Sequence, residues 1–294
     1  MVSDAIVNMP QQRVSFEHLQ NTVGQSPEGQ SWLLGLPTLI DQLTQQWGLV
    51  VSEVITVDAT ASWVAHCLDS RDRPVVLKIG FPHTEARDEI PGLLVWQDCG
   101  AVPIIDTAMD ANALLMEPCT PGTTLRRQPE PRQDEVIARM LKGLWTAEPG
   151  PGHPFRPLSE MVDHWISEQT TERQTDALTQ EGTETYQRLL ATTTKQVLMP
   201  TDLHAGNVLA HGESWILIDP KPYVGDPAYD ITQHLLNCTE RLRKDPIGFI
   251  ARMAGFTDQD PGRIQSWLFA RVACASSRTE EDVALAKTLR PMTL

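Results

Sequence analysis

The chain has 294 residues, enough for one large domain or for two lobes that each bury a core. Its formal net charge is −14, which argues against nucleic acid or an anionic membrane as the main partner, since both attract basic surfaces. The 5 cysteines include no C-x-x-C pair, which predicts a reducing cytoplasm and neither a disulfide framework nor a zinc site. We expect no signal peptide and no membrane span, because the first residues and the apolar runs lack the required patterns.

The first part of the chain predicts a helix followed by a small sheet. A helix over 37–47, ending at Gly48, is predicted by one apolar stripe: Leu36, Leu39, Ile40, Leu43 and Trp47. Strand-like runs follow at 49–57, 63–68 and 74–79, then a helical stretch to about residue 97, then strands at 102–107 and 113–117. The pattern is typical of a mostly antiparallel sheet with one helix inserted in its sequence.

Beyond this sheet, Pro118, Pro121 and Gly122 predict a hinge, after which the pattern becomes helical. Helices are predicted at 136–145, 158–166, 228–243, 247–254 and 263–276. The predicted fold class is therefore α+β with two lobes, a small antiparallel-sheet lobe over 1–117 and a larger, mainly helical lobe over 118–294. A ligand is commonly bound between two such lobes.

The most informative segment is PTDLHAGNVLAHGESWILIDPKPYVGDPAYD at 200–230. Its spacing of Asp202, Asn207 and Asp219 suits kinase-type phosphate transfer, in which one carboxylate faces the attacking hydroxyl. The amide and the second carboxylate are then expected to hold the Mg²⁺ ions that bridge the ATP phosphates, because Mg²⁺ prefers oxygen ligands and takes few protein carboxylates. An ordinary turn uses the same residue types. The composite of D-L-H-x-G-N, a short hairpin and I-D-P favours the functional interpretation.

A kinase site also needs a lysine for the phosphates and an acid to hold it. Lys78 lies in an apolar run at 75–79 and is predicted to bind phosphate; the alternative is an edge-strand lysine that points to solvent. For the acid we prefer Glu89 over Glu85, although Pro91 disfavours helical geometry just before it.

Two further segments are candidates for ATP contacts. The loop at 58–62 has no glycine, but its backbone amides and the hydroxyls of Thr60 and Ser62 are predicted to meet phosphate oxygens. Backbone groups around Glu117 and Cys119, at the predicted hinge, are expected to bind adenine. A strand that leads into a proline-rich turn without any nucleotide would give the same pattern.

With these residues in order, the chain resembles the aminoglycoside phosphotransferase superfamily, and within it the streptomycin 6-phosphotransferase/hydroxyurea phosphotransferase family. The run IDPKPYVGDPAYD at 218–230 carries the resemblance. The residue patterns W-x-x-x-G-A-V within 93–102 and M-E-x-x-x-P-G-T-x-L within 113–125 support it. The resemblance implies a bilobal protein-kinase-like fold that moves the γ-phosphate of ATP to a hydroxyl of a small polar molecule. It implies Asp202 as catalytic base, Asn207 and Asp219 as Mg²⁺ ligands and Lys78 as the phosphate-binding lysine.

Other residues of this run are expected to be structural. Asp226 is predicted to brace its loop or to cap a helix starting near Pro227, and Asp230 lies outside the chemistry. We expect His204 to be a structural histidine rather than a general base. Members of the family usually have H-G-D at the catalytic loop, so Thr201 departs from their pattern and is expected to narrow or reshape the substrate entrance.

The predicted reaction is an ATP- and Mg²⁺-dependent phosphate transfer to a small alcohol bearing amine or guanidine groups, such as an aminoglycoside. A second interpretation keeps the chemistry and changes the acceptor to another metabolite, an amino sugar or a different antibiotic. A third is a degenerate kinase fold that binds nucleotide without catalysis, supported by Thr201, Pro91 and the glycine-free loop. The intact Asp202 and Lys78 weigh against this third interpretation.

Overall fold

The computed structural model describes residues 17–56, 60–172 and 176–291, and for residues 17, 85 and 168–172 the backbone only. The described chain divides into two compact units. The sheet unit runs up to His83 and then takes Ile105–Pro118, and the helical unit takes Thr84–Ile104 and the chain from Cys119 onward. Within the described ranges, no helix is both long and apolar enough to cross a bilayer.

The sheet unit is built on a five-stranded sheet with the strand order β1-β2-β3-β5-β4. Its elements are α1 Glu17–Gln20, α2 Pro27–Trp47, β1 Val50–Ile55, β2 Ser62–Leu68, β3 Pro74–Gly80, β4 Ile104–Ala108 and β5 Ala113–Met116. The pairs β1/β2, β2/β3 and β3/β5 are antiparallel, as predicted. Strand β3 is therefore the centre of the sheet, and its register sets Lys78 opposite Val64 on one side and Leu114 on the other.

Helix α2 is longer than predicted, because it begins at Pro27 rather than at Pro37. The Ser26 side chain accepts a hydrogen bond from the Gly29 N–H and caps the helix, and proline is well tolerated in a first turn. Pro37 lies inside the helix on its exposed side, where an unpaired carbonyl can be hydrated. The predicted stop at Gly48 is confirmed, since this residue has the left-handed φ of 61°.

The helical unit combines helices with two short sheets. Its helices are α3 Glu89–Trp96, α4 Glu130–Leu144, α5 Leu158–Glu172, α6 Ala177–Ala191, α7 Pro227–Leu236, α8 Thr239–Lys244, α9 Pro246–Thr257, α10 Pro261–Ala273 and α11 Glu280–Leu289. Its strands are β6 Pro121–Thr124, β7 Val197–Met199, β8 Val208–His211, β9 Ser214–Leu217 and β10 Tyr223–Gly225. Strands β6, β8 and β9 form one sheet, and β7 pairs with β10.

The prediction of a single helix at 228–243 is wrong, since α7 and α8 are separate helices. Of the two residues between them, Cys238 has φ −113° and ψ 50°, which is not helical. The break lets Arg241 of α8 turn back to the buried Asp134 of α4, with 2.9 Å between Nη2 and Oδ1. The helix break therefore coincides with a tertiary ion pair.

The carboxylate of Asp134 in α4 contacts side chains from three other helices, α7, α8 and α9. It is fully buried, and it contacts His234 Nε2 of α7 at 2.8 Å and Arg252 Nε of α9 at 3.0 Å in addition to Arg241. Burial opposes ionisation of this carboxyl, but the hydrogen bonds and charges of His234 and Arg241 outweigh it and hold the pKa of Asp134 below its usual range. The cluster holds α7, the helix that begins within the last residues of the predicted site segment.

Candidate active site

The predicted site segment folds as a loop, a hairpin and a second loop. Residues 200–207 connect β7 to the hairpin β8–β9, in which Val208 pairs with Leu217. At the open end of this hairpin the Ile218 N–H donates to the Asn207 carbonyl over 2.9 Å. This register brings Asn207 next to the start of the second loop, which opens with Asp219. The structure thus brings together two of the predicted residues that are distant in sequence.

Asp202 joins them from the first loop. The Asn207 side-chain Nδ2 donates to the Asp202 backbone carbonyl over 3.0 Å, so the amide group of Asn207 is oriented by the loop that carries Asp202. The Asp202 side chain is 18% exposed, which leaves it accessible from one side. Asp202, Asn207 and Asp219 therefore belong to one local constellation within the helical unit.

The carboxylate of Asp202 has different partners on its two oxygens. Oδ1 accepts a hydrogen bond from Gln233 Nε2 over 2.6 Å. Oδ2 lies 3.6 Å from Lys221 Nζ, and the Lys221 side chain is itself partly exposed. Oδ1 is therefore hydrogen-bonded to α7, whereas Oδ2 faces the ammonium group of Lys221, which a flexible four-carbon side chain carries on the second loop.

The donor set suits Mg²⁺. Because the Asn207 Nδ2 is used within the loop, its Oδ1 is the atom left for a ligand, and Asp219 adds an exposed carboxylate. Asp219 has φ 58°, a left-handed backbone that turns the chain sharply after β9. No group of three or more His, Cys, Asp and Glu ligands occurs in the part of the chain that the structure describes. One amide, one carboxylate, phosphate oxygens and water are a usual Mg²⁺ environment.

Thr201 has the conformation that glycine adopts most easily, with φ 41°. Its side chain is buried, and Oγ1 donates to the Lys221 carbonyl over 2.5 Å. The Lys221 N–H in turn donates to the Pro200 carbonyl over 2.8 Å, so the two loops are tied together. The buried side chain of Thr201 serves this tie between the two loops, and the expectation that Thr201 narrows or reshapes the substrate entrance stays a prediction.

Asp230 is a buried carboxyl at the end of the same segment. It is fully buried in α7, and Trp145 Nε1 donates to its Oδ2 over 2.8 Å. Burial raises the pKa of Asp230 to about 7, although the hydrogen bond from Trp145 opposes this. Asp226 accepts the Ala228 N–H over 3.0 Å at the start of α7, which confirms the predicted cap.

His204 is half-buried beside Asp202. Its Nδ1 accepts a hydrogen bond from the Gly206 N–H over 3.0 Å, which assigns the proton of the neutral ring to Nε2. Burial lowers the pKa of His204, although the charge of Asp202 opposes this. The ring is thus held by the loop backbone, as expected for a structural histidine.

Lys78 and Glu89 lie in different units. Lys78 is in the central strand β3 and is only 7% exposed, so the alternative of a solvent-facing edge lysine is wrong. Glu89 is buried and is the first residue of α3, in the helical unit. Pro91 falls in the first turn of α3, where its missing N–H costs little. The Glu85 side chain lies outside what the structure describes.

The remaining predicted ATP contacts occupy exposed or half-buried positions. Thr60 is exposed and Ser62 is the first residue of β2, while residues 57–59 of the same loop lie outside the described residues. Glu117 is exposed after β5, and Cys119 is half-buried at the start of the following part of the helical unit. Burial raises the pKa of the Cys119 thiol to about 11, so this thiol is an unreactive one.

Sequence reasoning missed the residues that surround the Asp202 carboxylate. Lys221 belongs to the IDPKP run, and its charge two residues after Asp219 is a usable signal in the sequence. Gln233 and the residue behind it, Arg271, follow no motif. Only the folded arrangement of α7 and α10 brings them to the site.

The chain is similar in sequence to known phosphotransferases. The family described as aminoglycoside/hydroxyurea antibiotic resistance kinase matches residues 46–283. The streptomycin 6-kinase of Streptomyces griseus is 28% identical over 262 residues, 83% of each chain. The hydroxyurea phosphotransferase of Kitasatospora aureofaciens is 27% identical over 273 residues, which cover 87% of this chain and 77% of that protein.

The fold is also found among solved structures. The choline kinase LicA from Streptococcus pneumoniae superimposes with a TM-score of 0.62 at 15% identity, covering 86% of this chain and 96% of that one. Such a likeness shows the protein-kinase-like fold. Together with the family match over most of the sequence, it establishes that the chain belongs to the aminoglycoside/hydroxyurea antibiotic resistance kinases and is a phosphotransferase that acts on a hydroxyl group.

Proposed function

We propose that the protein transfers the γ-phosphate of ATP to a hydroxyl of a small cationic molecule, with an aminoglycoside of the streptomycin type as acceptor. The observation that carries this proposal is the constellation of Asp202, Asn207 and Asp219 in a chain similar to streptomycin 6-kinases. Phosphorylation adds negative charge to a cation and weakens its binding to RNA, so the reaction inactivates such a drug.

In this proposal Asp202 accepts or orients the proton of the acceptor hydroxyl. Oδ2 is the oxygen assigned to the hydroxyl, because Oδ1 is already bound by Gln233. The phosphoryl-transfer transition state is loose, so the main contribution of this carboxylate is to position the nucleophile. Oxygens of Asn207 and Asp219 hold Mg²⁺, which neutralises phosphate charge when it is bound.

We assign nucleotide binding to 1–117 and acceptor binding to 118–294. Lys78 is the phosphate-binding lysine and Glu89 its acid, Thr60 and Ser62 contact phosphate oxygens, and the backbone around Glu117 and Cys119 holds adenine. Because the reaction consumes ATP and the described cysteines are free thiols, we place it in the cytoplasm.

A second acceptor class has comparable support. The hydroxyurea phosphotransferase relative is 27% identical, nearly the same as the streptomycin 6-kinase. A small neutral hydroxylated antibiotic is therefore the second candidate substrate, used with the same residues in the same roles.

The test is to incubate the purified protein with Mg-ATP and a panel of streptomycin, other aminoglycosides, hydroxyurea and amino sugars, and to follow one added phosphate by mass. We expect a product on one aminoglycoside, with the turnover reduced about 10³-fold or more in Asp202→Asn and Asp219→Asn. Asp98→Asn, an exposed carboxylate of the same unit, is the matched control and keeps full turnover.

A product whose formation is unaffected by both site variants would show that the residue roles are wrong. A product on hydroxyurea alone would select the second acceptor class. Binding of ATP in calorimetry without any product on the panel would support a degenerate kinase fold. Absence of both binding and product would contradict the proposed function.

A further inference from the structure

The side chain of Gln233 is held in one orientation by two charged neighbours. Its Nε2 lies 2.6 Å from Asp202 Oδ1, and its Oε1 lies 2.7 Å from Arg271 Nη2. A guanidinium can only donate hydrogen bonds and a carboxylate can only accept them. The amide therefore has its oxygen toward Arg271 and its N–H toward Asp202, and the reverse orientation would lose both bonds.

Arg271 is itself fixed from several sides. Its Nη1 donates to Thr232 Oγ1 over 2.7 Å, and Thr232 Oγ1 donates to the Tyr229 carbonyl one turn earlier in α7. The guanidinium also lies over the Tyr229 ring, 5.0 Å from its centroid. The Arg271 side chain of α10 is thus held against α7. Because its position is fixed, its hydrogen bond also fixes the orientation of the Gln233 amide.

The consequence for Asp202 is that one of its two oxygens is committed. A hydrogen bond that is assisted by charge at both ends of the amide fixes the rotation of the carboxylate about its terminal torsion, which is otherwise broad. Oδ2 is then left on the side of Lys221, where an acceptor hydroxyl can approach. Gln233 also polarises Oδ1 without adding a charge to the site.

We propose that Gln233, oriented by Arg271, is a positioning residue that fixes the carboxylate of Asp202 so that only Oδ2 receives the acceptor hydroxyl. This inference rests on the proposed function. It predicts that loss of the amide donor lowers turnover strongly, while the affinity for ATP and the stability of the fold change less. The reason is that a small misplacement of a reacting group lowers the rate greatly.

The first test compares Gln233→Met with Gln265→Met. Methionine keeps the volume of glutamine and removes its donor. Gln265 is a half-buried glutamine of α10 whose Nε2 donates to the Leu289 carbonyl over 3.1 Å, away from Asp202. We expect kcat to fall about 10- to 100-fold in Gln233→Met with the KM for ATP within about twofold, and kcat to stay within about twofold in Gln265→Met.

A second variant separates positioning from a general packing defect. Gln233→Glu retains the pairing with Arg271 but turns a carboxylate toward Asp202. The repulsion opposes ionisation of the site, so the acid limb of the pH profile of kcat is expected to move to higher pH, a change that a packing defect does not produce. In a Gln233→Met background, Arg271→Gln is expected to lower kcat little further, because Arg271 acts on Asp202 through Gln233.

A readout without any acceptor keeps this test independent of the proposed function. The carboxyl carbon-13 signal of Asp202, assigned by its loss in Asp202→Asn, is expected to shift in Gln233→Met and to stay unchanged in Gln265→Met. If wild type transfers phosphate to nothing, the proposed function fails while this spectrum still tests the contact. An unshifted signal, or a kcat in Gln233→Met equal to that of Gln265→Met, would overturn the positioning role.

Discussion

At the scale of single residues, the site sets two aspartates in opposite environments within one segment. Asp202 is partly exposed and accepts a hydrogen bond from Gln233, whereas Asp230 is fully buried and one of its oxygens, Oδ1, has no hydrogen-bond partner. The partly exposed carboxylate of Asp202 is open to a ligand on one side, whereas burial raises the pKa of Asp230.

The buried aspartate gives a prediction about pH. The pKa of Asp230 in the folded protein is about 7, above the usual range of a carboxyl in an unfolded chain. Between roughly pH 4 and pH 7 the folded state keeps this proton and the unfolded state does not, so the contribution of Asp230 to stability is lost as pH rises through that window. Asp230→Asn lacks this loss, and we expect its free energy of unfolding to improve relative to wild type by about 1–3 kcal/mol from pH 5 to pH 8.

Urea titrations at several pH values measure this difference. The matched control is Asp98→Asn, an exposed carboxyl in the same unit, whose difference from wild type should stay constant with pH. A difference for Asp230→Asn that is independent of pH would show that this carboxyl does not titrate in the window.

Residue roles were predictable from the sequence only where a motif is local. The cap by Asp226 follows from an Asp-Pro step before a helix, and the structure confirms it. The tie made by Thr201 was not predicted, because neither its positive φ nor its bond to the Lys221 carbonyl can be read from neighbouring residues. Gln233 and Arg271 depend on the packing of two helices and leave no signal in the sequence.

At the scale of elements, α3 lies unusually close to the second loop of the site. A Cβ on Gly92 would come within 2.3 Å of Pro222 Cγ, a distance that no side chain tolerates. At the start of α3, Asp88 pairs with Arg156 Nε at 2.9 Å, and the Arg156 guanidinium covers the Tyr223 ring. The helix that carries Glu89 is therefore fixed against the loop that begins with Asp219.

This close approach predicts an unusual result for a helical glycine. Gly→Ala in a helix interior normally stabilises by about 0.5–1 kcal/mol, and Gly143→Ala in α4 should do so because its nearest neighbour would be 3.9 Å away. Gly92→Ala is instead expected to destabilise by about 1–3 kcal/mol, since the added methyl pushes α3 away from Pro222.

The measurement for this pair is thermal unfolding together with the KM for Mg-ATP. We expect a lower Tm and a raised KM in Gly92→Ala, because the displaced loop carries Asp219, and neither change in Gly143→Ala. Equal Tm values for the two variants would contradict the packing argument.

Element types were more predictable than element boundaries. The antiparallel sheet, a strand that contains Lys78 and the hairpin before Asp219 follow from apolar runs and turns, and they are confirmed. The central place of the Lys78 strand in the sheet was not predicted. The start of α2 was misplaced because Pro37 mimics a first-turn proline, although it sits on an exposed helical face. The break after α7 accompanies the long-range pair of Arg241 with Asp134, which local periodicity does not report.

At the scale of the whole molecule, the net charge of −14 bears on the choice of acceptor. An excess of negative charge attracts a cation over distances comparable to the Debye length, about 30 Å at 0.01 M salt and only about 3 Å at 1 M. The effect raises the encounter rate of a cationic acceptor and leaves a neutral acceptor unaffected. Salt dependence can therefore distinguish the two acceptor classes of the proposed function.

For a cationic acceptor we expect kcat/KM to fall about 3- to 10-fold between 0.01 M and 0.5 M salt, while kcat at saturation changes little, because screening acts on encounter rather than on the transfer step. The control is a neutral acceptor from the same panel, measured at saturating Mg-ATP, whose kcat/KM should stay constant over the same range. Initial rates of ADP formation at low acceptor concentration give both values. A salt effect of equal size on the two acceptors would place its origin in Mg-ATP binding, and a flat profile for the cation would show that the acidity of this chain has no part in selecting its substrate.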